Sequence, residues 1–512
     1  MRPVSSHRSR HARSRAKSAV SVGLLLLLGA CTVGPDFETP AAPSVDGYTS
    51  DGRAGATVGA DVAGGGPQRF VAGRDIPGEW WKLFRSRTID ALVAEALRNH
   101  PDLDAAEAAL RSARETALSE GGALLPQVGL TADQTRLGVS PAQSGMRGKG
   151  SVFDLSKPSV AVSYDLDVFG GERRKIEGLE AAAENQRFQL EAAQLTLTAN
   201  VVTTLIADAS LRAQIAATRD IIRAETEQLE LLRKQFALGA VAQTDVLLQD
   251  SNLAQSKAGL PVLEKQLAQN RNQLMAYLGR LPSEDKGEHV SLGELRLPGE
   301  LPLSLPSSLV RQRPDVLAAE ESLRRANAQI GVATANMLPK LSLSAAFGSQ
   351  ALSPHELFGA QTAAWNLAAG VSQPLFRGGS LLHAREAAIA GRDQAAAQYR
   401  STVIKAFQNV ADCLRAIQAD AKILAAQAEA ERAAARSLEI SRNQFRIGGS
   451  TWTTVLTVDQ SYQNARIARV KAQAQRHADT VALFQALGGG WWNRVEETPA
   501  AEPRPSVAQV VR

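Results

Sequence analysis

The chain switches between two hydrophobic periods. From Thr88 to about Gly121 the apolar residues Leu92, Ala96, Leu97, Leu103, Ala106 and Leu110 recur at helical spacing. Beyond Pro126 the period falls to two. Val128, Leu130 and Ala132 stand against Gln127, Thr131 and Asp133, which predicts a strand with two unlike faces over about 126–135. A Gly/Ser/Pro-rich loop is expected from Gly138 to Gly150. A second strand follows over about 158–169, where Val160, Val162, Tyr164, Leu166 and Val168 alternate with Ser159, Ala161, Ser163, Asp165 and Asp167. From Glu172 to Phe236 there is no proline, and Leu190, Leu197, Val201, Leu205, Ile215, Ile222, Leu229 and Leu232 keep helical spacing. A helix of that length is roughly 100 Å long. A turn at Gly239 then sends the chain back in a shorter helix, Thr244 to Gly279.

This grammar occurs twice. Asn99-His100-Pro101-Asp102-Leu103 answers Gln312-Arg313-Pro314-Asp315-Val316, and Leu125-Pro126-Gln127-Val128 answers Leu338-Pro339-Lys340-Leu341, both at an offset of 213 residues. Gln235-Phe236-Ala237-Leu238-Gly239 matches Gln444-Phe445-Arg446-Ile447-Gly448 further on. The second copy carries strands at about 339–349 and 364–376, a long helix from Ser380 to Phe445 and a return helix from Thr453 to Gly488. The expected organisation is residues 1–30 as a targeting segment, 31–85 extended, 86–280 as repeat one, 281–307 as a connecting segment, 308–490 as repeat two and 491–512 as a disordered tail. Four strands cannot close a barrel by themselves, so the pattern asks for copies of the chain. Equal Ala-rich rods suggest the staves of a tube. A long coiled coil would explain the rods but leaves the four two-faced strands unexplained.

Charge and cysteines place this architecture. The formal net charge of +5 includes six positives ahead of residue 31, and without them it is −1. No electrostatic footprint for nucleic acid remains. Those positives precede an apolar stretch from Ala19 to Leu28 and a small-residue exit at Gly29-Ala30, the three parts of a secretory signal. Leu28-Gly29-Ala30-Cys31 resembles a bacterial lipobox, in which the cysteine is cleaved, acylated and becomes the first residue. The alternative for Cys31 is a buried or reactive thiol. Thr32, where an Asp would hold a lipoprotein at the inner membrane, points to the outer membrane. Cys413 is the only other cysteine, so a lipidated Cys31 leaves no intrachain disulfide.

The search for chemistry finds scattered histidines without metal-ligand spacing, no phosphate loop, no Gly-x-Ser-x-Gly and no Cys/His nucleophile arrangement. No metal, no cofactor and no enzymatic activity are expected.

Several stretches together resemble the TolC family of outer-membrane efflux factors, in the OprM/NodT-type lipoprotein branch. They are Cys31-Thr32-Val33-Gly34-Pro35-Asp36-Phe37, Trp80-Trp81-Lys82-Leu83-Phe84 and Gln373-Pro374-Leu375-Phe376-Arg377-Gly378-Gly379. The resemblance implies a mainly α fold with a membrane β-barrel, built from two tandem repeats of helix, β-hairpin, long helix and helix. Three chains would form a 12-stranded barrel and an α-helical tunnel. It further implies an outer-membrane protein held by N-acyl and S-diacylglycerol lipid on Cys31 and extending into the periplasm. Its partners would be outer-membrane lipid, a periplasmic adaptor and an inner-membrane pump of the resistance-nodulation-division or major-facilitator type. The function implied is passive conduction of what the pump delivers. A non-conducting structural envelope lipoprotein is the alternative.

By the same resemblance, the tips at Gly239 and Gly448 contact the adaptor, and Thr453, Thr454, Thr457, Asp459, Gln460 and Asp245 surround the periplasmic aperture. The family's ring acid falls nine places after the second glycine, where this chain has Thr457. Asp459 lies two residues on, about 200° around a helix. The expectation is therefore an aperture held by packing and hydroxyl contacts around Thr453, Thr457 and Gln460 rather than by charge. A two-residue slip that makes Asp459 the ring acid is the competing reading.

Overall fold

The computed structural model describes residues 32–50, 55–145, 147–359 and 361–494. Cys31 and the targeting segment lie outside the described residues. The chain divides into two compact units, one built on Ala109–Gln186 and Ala319–Tyr399, the other on Pro40–Ala108, Arg187–Ala318 and the residues from Arg400 onward.

The first unit carries a four-stranded antiparallel sheet in the order β2 (Gln127–Val139), β3 (Ser151–Leu166), β5 (Lys340–Ser349) and β6 (Ala363–Ser372). The register turns the sequence alternation into two surfaces. Leu130, Val160, Phe347 and Trp365 lie in one cross-strand row, Val128, Val162, Ala345 and Leu367 in the next, and Leu166, Leu341 and Val371 in another of the same set. The intervening rows hold Thr131, Ser159 and Gly348, then Gln127, Ser163 and Ser344, then Asp165, Ser342 and Gly370. Among the described residues nothing covers the apolar face: Leu130 is 77% exposed and Trp365 and Leu367 76%. The outer edges of β2 and β6 have no strand beside them among the described residues.

The second strand begins at Ser151, seven residues before its expected start and directly after the expected loop ends at Gly150. Pro158 is the reason for the misreading. It pairs with Ala132 on β2, while the ladder to β5 ends one residue away at Ser159–Gly348. A proline is tolerated at such an interruption of the ladder, which resumes at the isolated Ser156–Ala351 bridge. Gly348 answers it, since a Cβ there would stand 2.2 Å from the Pro158 carbonyl oxygen.

Two helices of 67 residues each follow the hairpins: α3 (Gly171–Ala237) and α7 (Ser380–Arg446). Asp167 starts α3, its carboxylate accepting from the backbone N–H groups of Glu172 at 3.1 Å and Arg173 at 3.0 Å. At the same corner the buried Arg174 donates to the Val33 carbonyl at 3.2 Å and to the Asp36 carboxylate at 2.6 Å. Asn327 donates to the Pro35 carbonyl at 2.8 Å. Residues 32–37 are thereby fixed against the first unit. Gly34, at φ +94°, lies so close to Gly331 that a Cβ would fall 2.5 Å from its Cα.

The second unit holds the return helices α4 (Gln243–Tyr277) and α8 (Trp452–Ala486), 35 residues each, with α1 (Arg87–Asn99) and the short α5 (Pro306–Gln312). Helices α2 (Pro101–Gly121) and α6 (Pro314–Ala335) complete the chain order. Its core residues include the buried Ile76, Trp80, Phe84, Val93, Leu205, Ile206, Leu278 and Phe484, of which Trp80 is stacked on Phe484 at 5.3 Å. Helix α3 is the one described helix long and apolar enough to cross a membrane, but Val201, Val202, Leu205 and Ile206 of its apolar stretch are buried in this core.

Two expectations need correcting here. The connecting segment contains β4 (Glu300–Leu303), which pairs in parallel with β1 (Arg69–Ala72) from the segment expected to be extended. Strands of four residues, one of them with Pro302 inside it, show no readable alternation. Residues 491–494, assigned to a disordered tail, are packed. Trp491 donates to the Gln312 carbonyl at 2.8 Å, Asn493 to the Ile76 carbonyl at 2.7 Å, and Arg494 pairs with Glu191 at 3.1 Å. The polar tail composition hid two tryptophans with partners far away in sequence. The rest of the tail lies outside the described residues.

Candidate functional site

Each long helix ends in the second unit at a glycine that the backbone requires. Gly239 and Gly448 adopt φ of +74° and +77°. The next residue closes the turn: Ala240 N–H donates to the Gln235 carbonyl at 2.9 Å and Gly449 N–H to the Gln444 carbonyl at 2.8 Å. Immediately before each glycine stands an uncovered aliphatic side chain, Leu238 at 85% and Ile447 at 82% exposure.

Between the two turns lies a small apolar knot. Leu232, Leu438, Trp452 and Val455 are buried together, with Val241, Val246, Phe445, Leu456, Val458 and Tyr462 packed around them. The Trp452 ring meets Phe445 edge to face at 5.1 Å. Helices α3, α4, α7 and α8 are thus joined at their tips within one chain.

Helix α8 then presents two different faces. Thr453, Thr457 and Gln460 are exposed, at helical spacings of four and three. Thr457 Oγ1 donates to the Thr453 carbonyl at 3.0 Å and Gln460 to Asn464 at 3.3 Å, so these groups satisfy themselves along the helix. Thr451 caps the helix, its hydroxyl accepting from Thr454 N–H at 3.3 Å, and Thr454 stays exposed. In the first half, the Asp245 carboxylate accepts from Ala242 N–H at 3.3 Å, which makes it a helix-start acid.

Asp459 does not belong with the exposed set. It is 6% exposed and turned into the chain, as two residues of helical rotation require. Its Oδ1 accepts from Arg442 at 2.9 Å and its Oδ2 from Gln463 Nε2 at 2.6 Å. The same Gln463 nitrogen lies 3.3 Å from Glu225 Oε1 on α3, and Gln249 on α4 donates to the Glu225 carbonyl at 3.0 Å. Burial pushes the Asp459 carboxyl above the usual carboxylate range, against the pull of Arg442 and Gln463. Burial also pushes Glu225 up, with Ser256 and Gln463 pulling it down and the charge of Asp459 adding to the rise.

Sequence reasoning missed Glu225, Gln249, Arg442, Trp452 and Gln463. One signal was available on α8 itself: Trp452, Val455, Asp459 and Gln463 share a helical face, so the last two continue a core stripe with polar groups. Among the described residues no three His, Cys, Asp or Glu side chains converge as metal ligands.

The chain as a whole is similar to known proteins. The family described as outer membrane efflux protein matches residues 92–280 and 305–489. The pyoverdine export outer membrane protein OpmQ of Pseudomonas putida is 30% identical over 80% of this chain and 88% of its own length. The toluene efflux pump outer membrane protein TtgC of the same species is 28% identical over 96% of this chain and 99% of its own. Among solved structures, the outer-membrane channel OprN superposes with a TM-score of 0.81 at 26% identity, covering 90% of this chain and all 100% of that one. The outer membrane protein VceC of Vibrio cholerae gives 0.76 at 26% identity, covering 82% and 100%.

Proposed function

The chain belongs to the outer membrane efflux protein family and is the outer-membrane channel component of a tripartite efflux system, and from that premise we propose how it is built and controlled. Three copies close one barrel of twelve strands, continued by a tube of helical staves, through which cargo moves passively. The observation that carries this reading is the sheet of the first unit, with one apolar face uncovered and both edges open. An open sheet edge is excluded from lipid because its backbone groups find no water there, so the edges of β2 and β6 must meet those of other copies.

Lipid on Cys31 adds a second attachment. The clamp of residues 32–37 by Arg174 and Asn327 supports it, because an acyl chain on the preceding residue would be held beside the start of α3. The two tips, with Leu238 and Ile447 uncovered, form the adaptor contact. The aperture is lined by Thr453, Thr457 and Gln460, with Thr454 and Asp245 in the first turns of the helices beside it.

Relatives named for pyoverdine, toluene and antibiotic export are 28–30% identical to this chain. Cargo is therefore set by the partner pump, of the resistance-nodulation-division or major-facilitator type. Deleting the gene is expected to raise sensitivity to several unrelated toxic compounds at once, with restoration by the full-length gene. Unchanged sensitivity across such a panel, with pump and adaptor expressed, contradicts the reading.

A further inference from the structure

The polar groups above the apolar knot form an unbalanced cluster. Two carboxyl groups, Glu225 and Asp459, share the single amide of Gln463, and among the described residues Arg442 is the one cation bonded there. Arg442 is spent on Asp459 and is partly in water. What faces Glu225 is the Ser256 hydroxyl from α4 and Gln463 and Asp459 from α8, none of them a cation. Asp220, five residues earlier on α3, is already paired with Arg466 of α8 at 2.9 Å. Oε2 of Glu225 is buried and has no hydrogen-bond partner, a state that suits a protonated carboxyl far better than a charged one.

The position makes this consequential. Asp459 and Gln463 lie on a buried face of α8, about 100° around the helix from the exposed stripe of Thr453, Thr457 and Gln460, so any change in how α8 seats against α3 moves that stripe. We propose that Glu225 is a proton-linked positioning residue of the aperture: uncharged, it lets α8 pack against α3 and keeps the tips together, and ionised, it drives them apart. The proposal rests on the reading that the chain conducts, and goes beyond it by naming a control.

The direction follows from linkage. A carboxyl raised by burial in the packed tip favours that tip when protonated, and the contribution is lost as pH rises through the raised value. The tips are therefore held at low pH and loosened at higher pH.

Two readouts on the full-length protein test this across a pH series from acidic to neutral conditions. One is open probability in planar bilayers, and the other is hydrogen exchange over residues 452–465, corrected for the intrinsic pH dependence of exchange. In the wild type, open probability is expected to rise with pH by roughly tenfold or more, as protection of 452–465 falls. Glu225→Gln should hold both near their low-pH values, and Glu225→Asp should restore the slope. If Glu225→Gln does not assemble, Asp459→Asn, which removes the facing charge but leaves Glu225 buried, is expected to move both profiles to lower pH. A Glu225→Gln or Asp459→Asn protein that keeps the wild-type profile overturns the proposal. A wild type that never conducts while its exchange follows pH upholds the latch and refutes conduction.

Discussion

Thr457 and Asp459 differ by two residues and by nearly everything physical. The first is exposed and bonded to its own helix, whereas the second is buried between Arg442 and Gln463. A buried carboxyl beside its own guanidinium contributes little field to a pore. Asp459→Asn is therefore expected to leave ion selectivity unchanged. Thr457→Asp should raise preference for cations roughly threefold or more, since three copies would place three carboxylates around one opening. Reversal potentials in asymmetric salt distinguish the two, and loss of a strong cation preference in Asp459→Asn would contradict this assignment. Gly239 and Gly448 were legible in the sequence because only a residue without Cβ suits their backbone, and position alone reveals that. Glu225 was not legible. Its partner Gln463 is 238 residues away, and nothing local to α3 marks that glutamate among its neighbours.

At the scale of elements, periodicity did most of the work where a segment has one partner surface. The rods α3 and α7 follow from long proline-free runs at helical spacing, and the strands from alternation that one uncovered apolar face enforces. Periodicity failed where tertiary pairing overrides local preference, as at Pro158 inside β3 and at the short β1 and β4. It is also silent on how the helix ends are joined, which falls to the knot around Trp452. Trp452→Ala removes the ring that fills that knot, a loss of about 3–5 kcal/mol of local packing. The expected result is a tip that frays while the sheet persists: faster hydrogen exchange in residues near 232, 438 and 455, and higher conductance, with outer-membrane assembly retained. Unchanged exchange at those residues would show that the tips are held by something else.

For the whole molecule, the controlling fact is that one chain offers lipid a complete apolar face but not a complete barrel. Leu367→Arg puts a charge into the middle row of that face, at a cost of about 2–4 kcal/mol per copy at the bilayer midplane. It is expected to lower the temperature at which the oligomer dissociates on gels and to reduce its amount in outer membranes. Arginine at Ala346, on the opposite face of the same sheet, should leave both closer to wild type. Equal effects at the two sites would mean that the faces are misassigned. The most direct measurement of the central claim is single-channel recording from the purified full-length oligomer in planar bilayers. The structure predicts discrete conductance steps that increase when the tip knot is broken by Trp452→Ala. A correctly assembled, membrane-inserted oligomer that leaves the bilayer sealed, with and without that substitution, would contradict it.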